Sequence, residues 1–248
     1  MQREMSLMKA VGRHPHIVSM LACSAPHDPP PAPFLVVEHC ELGDLQNFLR
    51  HQWRCLTNTP LKYAELMAVS SYSSSALTLP VHIIVNQTYD LQQADTEEQT
   101  AQSSPESKER LEIVSPAELL SIARQVALGM EFLASNRVVH RDLAARNVLV
   151  TSDHSVKIAD FGLSRDVYEQ NVYRKTSEGK LPIKWMALES LLHQMYTSAS
   201  DVWSYGILLW EIVTLGGTPY PGIATSSVFP LLRSGYRMEK PDNCSDKL

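Results

Sequence analysis

The sequence has little cysteine, little glycine and no excess of charge of one sign. Four cysteines, Cys23, Cys40, Cys55 and Cys244, are spread over 248 residues with no CxxC pair. That excludes a disulfide framework and offers no zinc-ligand spacing, so reduced thiols in a reducing compartment are expected. Ten glycines and 15 prolines without a period exclude a collagen. Twenty-two basic residues against 27 acidic ones give a net charge of −5, and a pI near 6.0 makes no case for a generic nucleic-acid binder. The opening MQREMSLMKAVGR carries charges throughout, so no signal peptide is visible. One uncharged window, Leu66 to Tyr89, is long enough to cross a bilayer. Its five serines, Asn86, Gln87 and central Pro80 argue against a membrane span. Asn86-Gln87-Thr88 fits a glycosylation sequon, which carries meaning only outside the cytoplasm.

What is present is an ordinary globular composition, 44% hydrophobic and 20% charged, in a chain long enough for a sizeable core. It suits one large domain or two small ones. The charge is concentrated: Asp90 to Glu112 holds seven acidic and two basic residues, so the rest of the chain sums to zero. This stretch follows the serine-rich SSYSSSALTLP, and its low hydrophobicity predicts a largely disordered insertion over 52–114. Structured blocks are expected at 1–51 and 115–248.

Met1, Met5, Met8 and Val11 recur at helical spacing with Leu7 beside them, and Gly12 ends the pattern. The runs IVSMLA (17–22) and FLVVE (34–38), separated by PHDPPPAP, predict adjacent antiparallel strands. Gly43-Asp44 opens a short helix with Asp44 as N-cap and Leu45, Phe48 and Leu49 on one face. Ser115-Pro116-Ala117-Glu118 is a capping box with proline at the first helical position. Leu119, Ile122, Ala123, Val126, Met130 and Leu133 carry that helix to about Ser135. Val148–Val150 and Val156–Ala159 flank the polar turn TSDHS as a β-hairpin. Val202 to Val213 is apolar on nearly every side, which predicts a helix at the centre of a domain. Pro230 falls inside the helix expected around 226–234 and predicts a late start or a kink.

The hairpin is bracketed by polar residues that its packing does not require. His140-Arg141-Asp142-Leu143-Ala144-Ala145-Arg146-Asn147 precedes it and Asp160-Phe161-Gly162 follows it. A hairpin brings its ends together, so Asp142, Asn147 and Asp160 are expected to converge. A carboxylate and an amide oxygen suit a hard cation such as Mg²⁺ carrying phosphates. A second, separate carboxylate can orient an attacking hydroxyl and accept its proton.

H-R-D-x4-N and D-F-G in this order, 13 residues apart from Asn147 to Asp160, resemble the catalytic loop and metal-binding motif of protein kinases. HRDLAARN, GKLPIKWMALE (179–189) and SDVWSYGILLWEIVTLGGTPYPG (200–222) look like receptor tyrosine kinases, of the Ret type and the fibroblast-growth-factor-receptor type; the activation segment looks especially Ret-like. The resemblance implies an α+β, bilobal kinase fold: a partial small lobe, hinge and first large-lobe helix over 1–51, a kinase insert over 52–114, and most of the helical large lobe over 115–248.

It also implies roles. Asp142 would be the general base and Arg146 would help neutralise the transferring phosphoryl group, with ATP as phosphate donor. Asn147 and Asp160 would hold Mg²⁺. Glu4 would be the helix glutamate that pairs with the family's nucleotide lysine. Val37 would be the gatekeeper, Glu38 and Cys40 the adenine-binding hinge, Leu149 the adenine floor, and Asp44 a further member of the nucleotide site. Met8, His140 and Phe161 would form an apolar spine anchored through Asp201. Tyr168 and Tyr173 would be regulatory phosphotyrosines with Arg141, Arg165, Arg174 and Lys175 as cationic partners. Leu181–Trp185 would seat a substrate tyrosine.

Tyrosine-bearing proteins, a second receptor copy acting in trans and phosphotyrosine-reading adaptors, docked at Tyr63, Tyr72 and Tyr89, are the implied partners; nucleic acid is not. The implied location is the cytoplasmic face of a membrane, as part of a single-pass receptor. The family's glycine-rich loop and lysine do not occur ahead of Glu4, and the sequence stops at Leu248, before the last helices that in the family supply an arginine pairing with the counterpart of Glu189. Weak Mg-ATP binding and negligible turnover by these 248 residues alone are therefore expected. The competing reading is a kinase-like binding module without catalysis.

Overall fold

The computed structural model describes residues 2–24, 34–57, 113–160, 165–166 and 181–244, with backbone only at Gln2, Arg3, Arg165 and Asp166. The acidic insertion, Phe161, Tyr168, Tyr173, Arg174, Lys175 and the insert tyrosines lie outside the described residues, and so do the expectations placed on them.

Helix and sheet are mixed as expected. The N-terminal part holds α1 (Gln2–Val11), β1 (Met20–Cys23) and β2 (Leu35–Val37). Helix α1 buries Met5, Met8 and Val11, Leu7 packs beside them, and Gly12 ends it at φ +79°, a left-handed conformation that glycine adopts without strain. Strands β1 and β2 are antiparallel, with Met20 opposite Val37 and Cys23 opposite Leu35. Only the second half of the 17–22 run joins this pair. Ile17 and Val18 are buried instead against the later hairpin, where Val18 N–H donates to Ile158 O at 2.9 Å and Ile158 N–H to His16 O at 2.9 Å.

The larger part contains α2 (Leu45–Thr57), α3 (Pro116–Ser135), the pair β3 (Val138–Val139) and β6 (Arg165–Asp166), and the hairpin β4 (Val148–Val150) with β5 (Val156–Ile158). Helices α4 (Leu188–His193), α5 (Ser198–Val213) and α6 (Thr225–Arg233) follow. Helix α2 continues to Thr57, beyond the boundary expected at 52, because Trp53 and Leu56 extend the apolar face and Leu56 is buried. Buried Gln52 accepts the Val114 N–H at 3.2 Å, tying together the two ends of the insertion. Helix α3 starts on the expected capping box: Ser115 Oγ accepts the Glu118 N–H and Glu118 accepts the Ser115 N–H.

Helix α5 is central, but it is not buried on every side. Val202 is 67% exposed, whereas Ser200, Asp201, Ser204 and Glu211 face inward. Asp201 and Glu211 accept donors from other elements, Ser204 donates to Trp185 O and Ser200 caps the helix with Thr197, and that outweighs hydropathy in setting the helix rotation. Helix α6 starts at Thr225, earlier than Pro230 suggested. The hydrogen bond that Pro230 cannot make would go to Ser226, which is exposed, so its carbonyl remains open to water.

One apolar core runs from α1 through α2, α3 and the hairpin to α5. A second, smaller core joins Ile207 and Tyr220 to Val228 and Leu232 of α6. All four cysteines are free thiols. Among the described residues no helix is long and apolar enough to cross a membrane.

Candidate active site

Segment 140–147 is held from below by α5. Asp201, nearly buried, accepts the His140 N–H at 2.7 Å and the Arg141 N–H at 2.9 Å. That grip accompanies a left-handed backbone at Arg141, φ +73°, a strained state for a residue with a Cβ. Fully buried His140 bonds through Nε2 with Ala159 O at 3.0 Å. Met8 is buried in the main core, and Phe161, the third member of the expected spine, lies outside the described residues.

The hairpin then closes the site. Val148 lies opposite Ile158, so Asn147 and Ala159 share one end of the ladder, and Ala159 N–H donates to Asn147 O at 2.8 Å. Asp160 follows directly, in a left-handed conformation at φ +59°. The three expected residues are therefore drawn together. Burial pushes the Asp142 carboxyl above its ordinary pKa, against the opposing Arg146 charge, and the charge of Asp160 adds to the upward push.

Asp142 and Arg146 form an ion pair at 2.5 Å, and the Arg146 guanidinium lies over the Trp185 ring, 4.3 Å from its centre. Asn147 donates its amide to Asp142 O at 2.7 Å, which leaves Oδ1 as its acceptor with no protein partner among the described residues. An oxygen from Asn147 and a carboxylate from Asp160 fit a hard cation that completes its shell with phosphate and water. Among the described residues no group of three or more His, Cys, Asp or Glu forms a metal cage, and this donor set needs none.

The segment expected to serve as hinge follows β2. Glu38 N–H donates to Ser19 O at 3.0 Å, continuing the β1–β2 pairing past Val37. The Glu38 carboxylate accepts the Ser19 N–H and pairs with Lys157 at 3.1 Å. Burial pushes its pKa up, but the Ser19 and Lys157 contacts outweigh that and hold it below the ordinary value. Among the described residues the Glu38 carbonyl and the Cys40 N–H have no protein partner, which gives an acceptor and a donor two residues apart. Cys40 is buried, and burial pushes its thiol pKa up, so it is a poor nucleophile.

Val37 is partly exposed at the end of β2, and Leu149 packs on the main core opposite Lys157. Both carboxylate oxygens of Asp44 are engaged by Asn47, from its N–H at 2.9 Å and its amide at 2.7 Å, which is N-cap geometry. Glu4 is half-buried in the first turn of α1 and forms no ion pair among the described residues.

Sequence reasoning missed Glu211. This fully buried carboxylate accepts the Ala145 N–H at 3.0 Å and the Trp185 indole N–H at 2.9 Å, and so joins segment 140–147 to the turn at 183–185. Its signal was a lone acid inside an apolar helix, a group that must find donors when buried.

A family model described as protein tyrosine and serine/threonine kinase matches residues 1–248. The torso tyrosine-protein kinase receptor of Bombyx mori is 49% identical over 249 residues, 99% of this chain and 28% of that protein. Its counterpart in Drosophila melanogaster is 38% identical over 332 residues, 99% of this chain and 36% of that protein. The fibroblast growth factor receptor of Hydra vulgaris is 42% identical over 245 residues, 99% and 24%. The chain therefore spans well under half the length of these relatives. The fibroblast-growth-factor-receptor resemblance reappears in these matches; the Ret-type likeness is not shown by them.

Proposed function

The chain belongs to the protein tyrosine and serine/threonine kinase family, and from that premise we propose that it is the catalytic part of a receptor tyrosine kinase that moves the γ-phosphate of ATP to tyrosine hydroxyls. The pairing of Asp142 with Arg146 beside Asn147 carries this reading. Asp142 would accept a hydrogen bond from the acceptor hydroxyl, orient it and take its proton. Arg146, fixed between Asp142 and the Trp185 ring, would lie beside the transferring group as a counter-charge. The Glu38 carbonyl and Cys40 N–H would take the adenine edge, with Val37 and Leu149 as apolar walls. Asn147 and Asp160 would hold Mg²⁺, which would bridge phosphate oxygens and offset their charge.

The proposed partners are tyrosine-bearing proteins, a second receptor copy and phosphotyrosine-reading adaptors, at the cytoplasmic face of a membrane. Tyr168 and Tyr173 are proposed as regulatory phosphorylation sites. The test is Asp142→Asn in the protein at its natural full length: peptide tyrosine phosphorylation should be abolished while ATP binding persists. Full activity of that variant would remove Asp142 as base. The competing reading is a kinase-like module that binds without transfer. Tyrosine transfer by the wild-type protein would exclude it.

A further inference from the structure

Lys184 sits in the short 3₁₀ turn Ile183–Trp185, whose neighbours are well anchored. Ile183 and Trp185 pack on the second core, Trp185 donates to Glu211, and Ser204 Oγ donates to Trp185 O at 2.8 Å. Lys184 itself does something else. Its half-buried ammonium donates to Pro219 O at 2.8 Å and to Tyr220 O at 3.4 Å, and no carboxylate pairs with it among the described residues. Burial pulls its pKa below the ordinary lysine value.

An ammonium taken from water without an anion is costly, and a methionine would fill the same space more cheaply. The acceptors are unusual as well. Tyr220 is 2% exposed and left-handed at φ +51°, a backbone that costs a residue with a Cβ and persists only where its surroundings over-determine it. Its N–H is spent on Met238 Sδ at 3.1 Å and its carbonyl also takes the Ile223 N–H. The lysine thus closes a strained turn onto the 183–185 turn, and Leu181, two residues ahead of it, stays 41% exposed.

We propose that Lys184 is a positioning residue for the acceptor peptide: by clasping the Pro219 and Tyr220 carbonyls it fixes the 181–185 platform against the 219–223 loop, so that the two present one rigid surface to the chain around the substrate tyrosine. This rests on the tyrosine-transfer reading above. The residue acts on peptide placement and not on the nucleotide.

The experiment is steady-state kinetics of the full-length protein with a tyrosine peptide and Mg-ATP. Lys184→Met should raise the peptide KM roughly ten-fold, the worth of a lost charge-assisted pair of hydrogen bonds, with kcat and the ATP KM within about two-fold of wild type. Lys184→Arg, which can still donate to both carbonyls, should restore the peptide KM. Lys184→Gln, with one donor group and no charge, should fall between and covers a failure of the methionine variant to fold. An unchanged peptide KM in the methionine or glutamine variant overturns the inference. So does an equal loss of kcat and melting temperature without a change in the peptide KM. Wild-type transfer with such a result overturns this inference alone; a wild type without tyrosine transfer overturns the functional reading with it.

Discussion

The Trp185 indole N–H donates to Glu211 Oε2 at 2.9 Å, while the face of the same ring supports Arg146. One side chain therefore performs two separable tasks, and substitution separates them. Trp185→Phe keeps an aromatic ring beneath Arg146 and removes the N–H together with part of the indole. It should cost about 1 kcal/mol of stability, and Trp185→Ala should cost about 3 kcal/mol. Urea unfolding of both variants is the check. Equal losses would mean that the stacking surface contributes nothing.

Glu211 makes stability depend on pH in a definite direction. Burial raises its pKa above the ordinary 4.5, and the Trp185 and Ala145 donors only partly oppose this. A carboxyl with a raised native pKa binds its proton more tightly folded than unfolded. Its stabilising contribution is thus complete below pH 4.5 and is lost as pH rises through the native value. Glu211→Gln keeps an oxygen for both donors and does not ionise. The variant should gain stability relative to wild type as pH rises above 4.5, read from unfolding curves at steps from pH 4 to 7. A difference that stays constant with pH would sink the idea.

Much of this arrangement was legible because its signals are local. Ser115 and Glu118 sit three apart and satisfy one another. The hairpin places Asn147 beside Ala159 by its register alone, so two motifs 13 residues apart, from Asn147 to Asp160, are drawn together as expected. What escaped depends on partners distant in sequence. Helix α2 extends to Thr57 because Leu56 meets the core and Gln52 reaches Val114 across the insertion, which polar composition around 52 concealed. Hydropathy turns α5 with Val202 inward; the fold turns Asp201 and Glu211 inward, because unpaired N–H groups at 140, 141 and 145 need acceptors. The Glu38–Lys157 pair was hidden for the same reason, since it links the residue after β2 to β5.

Gly129 marks the close approach of α3 to the link between the two parts. A Cβ there would lie 2.8 Å from His16 O and 2.8 Å from Ile158 Cδ1. His16 O is also the acceptor of the Ile158 N–H, so it cannot retreat without loosening that bond. Gly129→Ala should gain about 1 kcal/mol in helix propensity and lose about 1–3 kcal/mol to overpacking. Net destabilisation is expected, measured by thermal melting. A variant as stable as wild type would show that His16 and Ile158 shift freely.

Asp201 supports the 140–147 segment through two backbone bonds, at 2.7 Å to His140 and 2.9 Å to Arg141. Asparagine at 201 retains one acceptor oxygen and turns an NH₂ group toward the other N–H, so one buried donor faces another. Asp201→Asn should therefore destabilise by about 2–4 kcal/mol, although the substitution is nearly isosteric. The loss should reach activity too, because the two bonds hold the strained Arg141 backbone that aims Asp142. In the full-length protein kcat should fall by at least ten-fold while the hinge contacts keep the ATP KM nearly unchanged. A variant with full kcat and normal unfolding would mean that the 140–147 segment keeps its shape without α5.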